Sequence, residues 1–205
     1  MTIRIAVIGA GIMGADHARI LAQDLPRATL QVVCDTDADR AKSVAQEYAA
    51  VDYTTNPEDT IFRDDVDAVI IASPDTTHAP LSLACISARK RALCEKPLSH
   101  TSDDCLAVMR AEQDAGAKFI QIGFMCRYDR SYIDMRDALA SGKPFHRDPV
   151  VEATAQRENK IRLAQRIIRR NTAVHARHAQ RVRRIHRHGA QGVEGGGHRG
   201  IEALG

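Results

Sequence analysis

A glycine-rich hexapeptide near the amino terminus constrains the fold of this chain more than any other feature. Gly9, Gly11 and Gly14 stand in the order Gly-Ala-Gly-Ile-Met-Gly, directly after an apolar run over 3–8 and before a helical pattern. In that context the first glycine permits a tight turn, the second lets the backbone approach a pyrophosphate, and the third lets a helix pack closely on a strand. The motif predicts a dinucleotide-binding α/β fold; the alternative is a glycine turn that serves packing alone.

An acidic residue stands where a dinucleotide site requires one. Asp35 follows the apolar run over 29–34, about 20 residues beyond the glycines, where a carboxylate binds the adenosine ribose. Because this carboxylate accepts hydrogen bonds from a free 2′-hydroxyl and repels a 2′-phosphate, NAD is expected rather than NADP. Arg40 lies either near the same ribose or on the outside of the second helix. Ile12 and Met13, inside the glycine motif, are counted with the cofactor-binding residues.

Short apolar runs alternate with longer helical patterns over the first two thirds of the chain. Strands are predicted over 3–8, 29–34, 68–72, 91–94 and 119–123, and helices over 13–25, 38–49, 78–87, 102–115 and 132–141. Asp37, and either Thr101 or Ser102, are predicted helix caps. Strand and helix in regular alternation predict a doubly wound parallel sheet of the Rossmann type.

The composition changes near residue 145. Every aromatic residue, Met and Cys lies at or before Phe145. Residues 1–146 hold 16 Lys and Arg against 21 Asp and Glu, a net charge of −5, whereas residues 147–205 carry +8. We therefore expect a dinucleotide-binding domain over 1–145 and, over 146–205, a basic tail rich in Arg, His and Gly that is partly helical or disordered.

The cysteines and histidines do not suggest a metal site. The five cysteines are an odd set without Cys-x-x-Cys spacing, so neither a disulfide framework nor zinc is expected and buried free thiols are predicted. The histidines of the tail lack carboxylate or thiol partners, so they are interpreted as solvated charge; they are His175, His178, His186 and His188.

The amino-terminal segment gives an expectation about location. It reads as a strand, with no signal-peptide order of charged, apolar and small residues and no apolar run long enough to cross a bilayer. A cytoplasmic, non-membrane protein is therefore expected.

Three further segments carry a family resemblance. They read Ser-Pro-Asp-Thr-Thr-His over 73–78, Cys-Glu-Lys-Pro-Leu-Ser over 94–99 and Gly-Phe-Met-Cys-Arg-Tyr-Asp over 123–129. With the glycine motif they resemble the glucose-fructose oxidoreductase and inositol dehydrogenase family (Gfo/Idh/MocA), over residues 2 to 144. The last segment is closely similar to the inositol 2-dehydrogenases of that family.

The resemblance implies an NAD-dependent oxidoreductase that oxidises a secondary hydroxyl group of a polyol or sugar, such as myo-inositol. Lys96 would be the catalytic lysine at the nicotinamide end, because a cation there stabilises the oxygen that becomes negative as the hydroxyl proton leaves. Glu95 would either orient Lys96 or line the cofactor site. Family members also form homo-oligomers, which we do not expect of this chain.

The same resemblance assigns residues around the cofactor and the substrate. Ser73 would contact the cofactor. His78 would either line the cofactor near the nicotinamide or simply begin a helix. Arg127 and Tyr128 would face the substrate, although on sequence alone they are ordinary loop residues.

The chain departs from the family after residue 144. The family's second, mostly antiparallel domain, with its Asp and a His four residues later, is not recognisable in residues 146–205. This favours a truncated chain or one read there in a wrong frame, with low activity. The alternative is a catalytically inactive NAD-binding module whose tail binds nucleic acid or an anionic surface; nucleic acid is the less expected partner because the tail lacks aromatic residues for stacking.

Overall fold

The computed structural model describes residues 2–141. The predicted basic tail, its four histidines and the domain boundary at 145 lie outside these residues.

A six-stranded parallel sheet forms the centre of the described part of the chain. Its strand order is β3-β2-β1-β4-β5-β6, with β1 flanked by β2 and β4. The chain therefore winds in one direction through β1 to β3 and in the other through β4 to β6, which confirms the predicted doubly wound sheet. The strands are β1 (Ile3–Ile8), β2 (Ala28–Cys34), β3 (Asp52–Thr54), β4 (Ala68–Ile71), β5 (Arg91–Cys94) and β6 (Ile120–Ile122).

Helices connect the strands, and side-chain caps fix two of the predicted starts. The Asp37 carboxylate accepts from two backbone amides of the second helix, and the Thr101 hydroxyl accepts from Asp104 N at 3.2 Å. Both capping predictions are confirmed, with Thr101 rather than Ser102 as the cap. The helices are α1 (Ile12–Gln23), α2 (Ala38–Glu47), α3 (Pro57–Phe62), α4 (His78–Ser87), α5 (Ser102–Asp114) and α6 (Arg130–Ser141), with single 3-10 turns at Asp75–Thr77 and Met125–Arg127.

Two short elements were not predicted. Strand β3 has only three residues and lies at the edge of the sheet, so it lacks the apolar run of a buried strand. Helix α3 is less than two turns long, too short for a helical repeat of apolar residues to show. Its first turn nevertheless has a regular start, in which Asn56 accepts from two backbone amides and Pro57 occupies the first helical position.

Apolar layers cover both faces of the sheet. Along β1, Ile5 and Val7 pack on one face with Leu21 of α1, whereas Ile8 packs on the other face with Ile61 of α3. Strands buried on both faces need nearly continuous apolar sequence, as in β1 and β4. No helix within residues 2–141 is long and apolar enough to cross a membrane.

The cysteines agree only in part with the expectation of buried thiols. Cys34, Cys85 and Cys94 are buried, and burial raises the pKa of these thiols to about 11, about 12 and about 12 respectively. Cys105 is half-buried. The expectation is wrong for Cys126, which is exposed because it lies in the 3-10 turn after β6 rather than on a core-facing strand or helix.

Candidate cofactor and active site

The predicted cofactor residues meet where the winding of the sheet reverses. Gly9 follows β1, Asp35 follows β2 and Ser73 lies just beyond β4, so all three lie at the carboxyl edge of neighbouring strands. Crevices at this edge, beside the switch in strand order, are the usual binding sites of doubly wound sheets.

The three glycines make this edge compact and leave one opening. Gly9 has a φ of +95°, and a side chain on it would come within 2.5 Å of the Ala72 carbonyl oxygen. A Cβ on Gly14 would lie 1.7 Å from the Gly9 carbonyl oxygen, whereas a Cβ on Gly11 would meet nothing within 4 Å. The loop and α1 are thus in backbone contact, and open space remains above Gly11.

Helix α1 presents its amino terminus to that opening. Its cap residue is Gly11, its first turn contains no acidic residue, and within the described residues no side chain caps it. The amides of the first turn and the positive end of the helix dipole therefore suit a phosphate. Ile12, the first residue of α1, borders this open space with 91% of its surface exposed, and Met13 beside it is half-buried. These features fit the pyrophosphate of a dinucleotide.

Asp35 does more at this edge than a ribose contact would require. Its Oδ2 accepts a hydrogen bond from Ala10 N at 2.7 Å, and its Oδ1 accepts one from Asp37 N at 3.0 Å. Each carboxylate oxygen has two lone pairs, so both retain the capacity to accept from a ribose hydroxyl. Asp35 thus holds the glycine turn in shape while it borders the crevice. This second role was not predicted from the sequence.

Arg40 is directed mainly to its own helix start. Its Nη2 lies 2.9 Å from Asp37 Oδ2, and its Nη1 lies 3.7 Å from Asp35 Oδ2. The Arg40 amide and guanidinium hold the pKa of the Asp37 carboxyl below its ordinary value. Arg40 is half-exposed and shared between two carboxylates, so the rim keeps an acidic character that opposes a 2′-phosphate.

A cavity of about 280 Å³ opens beside Asp35. Pro57, Pro74 and Leu81 line it together with Gly9 and Asp35, so its walls are mainly apolar with one carboxylate. Small-molecule pockets generally span roughly 300 to 1,000 Å³. The cavity therefore suits the adenosine half of a dinucleotide rather than the whole molecule.

His78 joins two loops below the surface of this edge. It is the first residue of α4 and 2% exposed; its Nδ1 lies 2.6 Å from the Pro97 carbonyl oxygen and its Nε2 lies 2.9 Å from the Ser73 carbonyl oxygen. Both partners are carbonyl acceptors, so the ring donates a hydrogen bond to one of them in either tautomer and remains in close contact with the other. The ring thus ties the loop after β4 to the loop after β5, and Ser73 borders the cavity above it.

Lys96 lies two residues beyond β5 and is exposed, whereas Glu95 before it is buried. Glu95 Oε1 lies 2.8 Å from His17 Nε2, and His17 is 1% exposed on α1. His17 was not predicted as a site residue from the sequence. Its spacing from Gly14 and Leu21 places it on the inward stripe of α1, where a polar residue indicates a buried partner.

The predicted substrate residues lie past β6, the neighbour of β5. Arg127 Cζ lies 5.7 Å from the centre of the Phe124 ring, and Tyr128 is half-buried against the core. Gly123 N donates to the Cys94 carbonyl oxygen at 2.8 Å, which joins the ends of β5 and β6. The segment that leads from β6 to Arg127 therefore starts beside the end of β5, two residues before Lys96. Within residues 2–141, no three His, Cys, Asp or Glu side chains form a metal-binding group.

Comparison with known proteins agrees with this geometry. The family model described as "Oxidoreductase family, NAD-binding Rossmann fold" (GFO_IDH_MocA) matches residues 3–124. Inositol 2-dehydrogenase 1 of Saccharopolyspora erythraea is 45% identical over 143 residues, which cover 69% of this chain and 42% of that protein. Inositol 2-dehydrogenase of Rhodococcus erythropolis is 41% identical over 157 residues, covering 73% and 45%.

Solved structures show the same relationship. The myo-inositol dehydrogenase of Lactobacillus casei, in complex with NAD(H) and myo-inositol, superposes with a TM-score of 0.66 at 28% identity, over 69% of this chain and 42% of that one. The scyllo-inositol dehydrogenase of the same organism, with bound NAD(H) and scyllo-inositol, superposes with a TM-score of 0.65 at 26% identity and the same coverage. The chain spans less than half the length of these relatives.

Proposed function

Because the chain belongs to the Gfo/Idh/MocA oxidoreductase family, we propose that it binds NAD at the carboxyl edge of its sheet and serves the oxidation of a secondary hydroxyl group of a polyol. The observation that carries this proposal is the glycine turn, in which two glycines are in backbone contact while the third leaves open space at the free amino terminus of α1. That arrangement provides both the room and the electrostatic field for a pyrophosphate.

Three sets of residues would hold the cofactor. Gly11, Ile12 and Met13 would border the pyrophosphate, and Asp35 would accept the ribose hydroxyls beside the 280 Å³ cavity for the adenosine. Ser73 and the loop that His78 holds would continue the site toward β5. The acidic rim formed by Asp35 and Asp37 favours NAD over NADP, because Arg40 is shared between these carboxylates.

The chemistry at the other end of the site would depend on Lys96. When bound, NAD supplies an acceptor for the hydride that leaves the carbinol carbon of the substrate. The exposed side chain of Lys96 would meet the substrate hydroxyl. Its positive charge would stabilise the oxygen as the hydroxyl proton passes to solvent, the hydride passes to NAD and the ketone forms. Its position beside the cofactor edge supports this role, because the loop after β5 adjoins the loop after β4 through His78.

The substrate class is proposed from the relatives. Those described above are named as inositol dehydrogenases, and two of them hold an inositol in their structures. A cyclic polyol such as myo-inositol is therefore the first substrate to test. Arg127 and Tyr128, beyond β6, are the proposed substrate-facing residues.

The test combines binding with turnover in the purified full chain. NADH fluorescence measures binding, and NADH formation from NAD and myo-inositol measures turnover. We expect binding in wild type and in Lys96→Ala, turnover that disappears in Lys96→Ala, and unchanged turnover in Lys42→Ala, which removes an exposed lysine from α2.

Two outcomes contradict parts of the proposal. Absence of NADH binding by wild type overturns the cofactor site itself. Binding without turnover overturns the dehydrogenase activity of this chain and assigns it instead as an NAD-binding module.

A further inference from the structure

We propose that His17 is a positioning residue which, through Glu95, ties the cofactor-binding helix α1 to the loop that carries Lys96. The inference deepens the proposed function and rests on it. It identifies how the two ends of the site are held relative to each other: the pyrophosphate end at α1 and the nicotinamide end after β5.

The contact is short, buried and long-range in sequence. His17 Nε2 lies 2.8 Å from Glu95 Oε1, and the residues are 1% and 7% exposed. They are 78 positions apart. A carboxylate at this depth requires a partner, because an unpaired buried charge is strongly disfavoured. His17 supplies that partner from the helix whose amino terminus borders the glycine turn.

The backbone of Glu95 is fixed independently of the histidine. Its amide donates to the Ile71 carbonyl oxygen at 2.9 Å, as part of the sheet. The Glu95 side chain packs against Gly123. A Cβ on Gly123 would come 3.2 Å from Glu95 Oε2, so the carboxylate occupies the space that a larger residue would take. The Glu95 side chain is therefore held between β6 and α1.

Lys96 is flanked on both sides by residues that buried histidines hold. His17 contacts the side chain of Glu95, and His78 contacts the Pro97 carbonyl oxygen at 2.6 Å. Lys96 itself is exposed. An exposed side chain on a backbone held at both neighbours can reach a ligand from a defined place, which is the arrangement that a proton-transfer residue needs.

Stability alone does not account for this pair. A buried carboxylate with its hydrogen-bond partner is a weak source of stability, since apolar residues of similar volume often do as well or better in the same space. The position of the pair offers a different reason. It couples α1, which would meet the pyrophosphate, to Lys96, which would meet the nicotinamide end.

The test compares two ligands that share the adenosine and pyrophosphate but differ at the nicotinamide. Dissociation constants for ADP-ribose and NADH are measured with wild type, His17→Ala and His17→Gln of the full chain. We expect His17→Ala to weaken NADH about tenfold, as for the loss of one hydrogen bond to a charged group, and to change ADP-ribose less than about twofold. In His17→Gln the amide replaces the ring N–H as donor, so NADH affinity is expected within about threefold of wild type.

A second variant keeps the test decisive if His17→Ala does not fold. The double change His17→Met and Glu95→Gln removes the buried charge together with the tie, and circular dichroism verifies its fold. The same selective loss of NADH affinity is expected.

Three outcomes overturn the inference. Equal weakening of both ligands assigns the pair a purely structural role, and unchanged affinity for both shows that α1 and the Lys96 loop are not coupled. Wild type that binds neither ligand overturns the proposed function as well, and this is known before any variant is compared.

Discussion

Alanine substitutions at Gly14 and Gly11 should have different effects: the first should lower the stability of the fold, and the second should weaken cofactor binding. In Gly14→Ala the new methyl would lie 1.7 Å from the Gly9 carbonyl oxygen, and it must move 1.3 Å to reach the 3.0 Å below which real contacts of this kind are essentially never found. The obstacle is backbone, so either α1 or the glycine turn has to shift. In Gly11→Ala the methyl meets no protein atom within 4 Å.

The magnitudes favour destabilisation in Gly14→Ala. Alanine gains about 1 kcal/mol over glycine within a helix. Overpacking against a fixed neighbour costs about 1 to 3 kcal/mol and sometimes more, and this clash is at the severe end of that range. We expect a net loss of about 2 kcal/mol in the free energy of unfolding, which lowers the urea midpoint by about 1 M.

Gly11→Ala is the matched control, in which stability should change little and NADH affinity should fall. Its φ of −70° and ψ of −170° are accessible to alanine, so the expected loss of stability is below about 1 kcal/mol, from poorer capping of α1. Its methyl would fill the opening where the pyrophosphate is proposed to lie, so NADH affinity should fall at least about tenfold. Urea unfolding and NADH titration measure both effects. An unchanged urea midpoint in Gly14→Ala, or normal NADH affinity in Gly11→Ala, refutes the reasoning.

Three further predictions concern titration and packing. The pKa values of the three buried thiols lie above the ordinary thiol value of about 9, so these thiols ionise first in the unfolded chain. The free energy of unfolding should therefore fall as the pH rises from 9 toward 12, and a urea midpoint that stays constant over this range contradicts this. At neutral pH a thiol reagent should modify Cys126 rapidly and the three buried thiols only after unfolding, so rapid native labelling of all of them is the contrary result. Glu112→Ala should lower the free energy of unfolding by about 1 to 3 kcal/mol, because Glu112 accepts from the amides of Phe119 and Ile120. Glu58→Ala, on the exposed face of α3, is the control and should change it by less than about 0.5 kcal/mol.

The parts of the fold that could be predicted from the sequence are those with a strong local pattern. The apolar run of β1, the glycine motif after it and the caps Asp37 and Thr101 each specify their own structure through neighbours in the chain. Strand β3 could not be found in this way, because its three residues gain their place only from pairing with β2 at the sheet edge.

The site shows the same division. The glycine motif and Asp35 were predicted from their place after the first two strands, and Lys96 from the family resemblance of its Glu-Lys-Pro segment. The contacts around them could not be predicted in this way, since His17 and Glu95 meet across 78 positions and His78 reaches the Pro97 carbonyl across 19. Such contacts depend on the winding of the sheet, which brings the ends of β1, β4 and β5 side by side.

The hydrogen bond from Ala10 N to Asp35 has a consequence for redesigning the coenzyme preference of this domain. Conversion toward NADP ordinarily begins by removing the acidic residue after the second strand, since it repels the 2′-phosphate. Here that residue also fastens the glycine turn at 2.7 Å, so a replacement without an acceptor would loosen the phosphate-binding loop while it admits the new phosphate. Asparagine, whose carbonyl oxygen can still accept from Ala10, is therefore a better first replacement than alanine. Arg40 would lose only its 3.7 Å contact with the carboxylate of residue 35 and would stay paired with Asp37 at 2.9 Å.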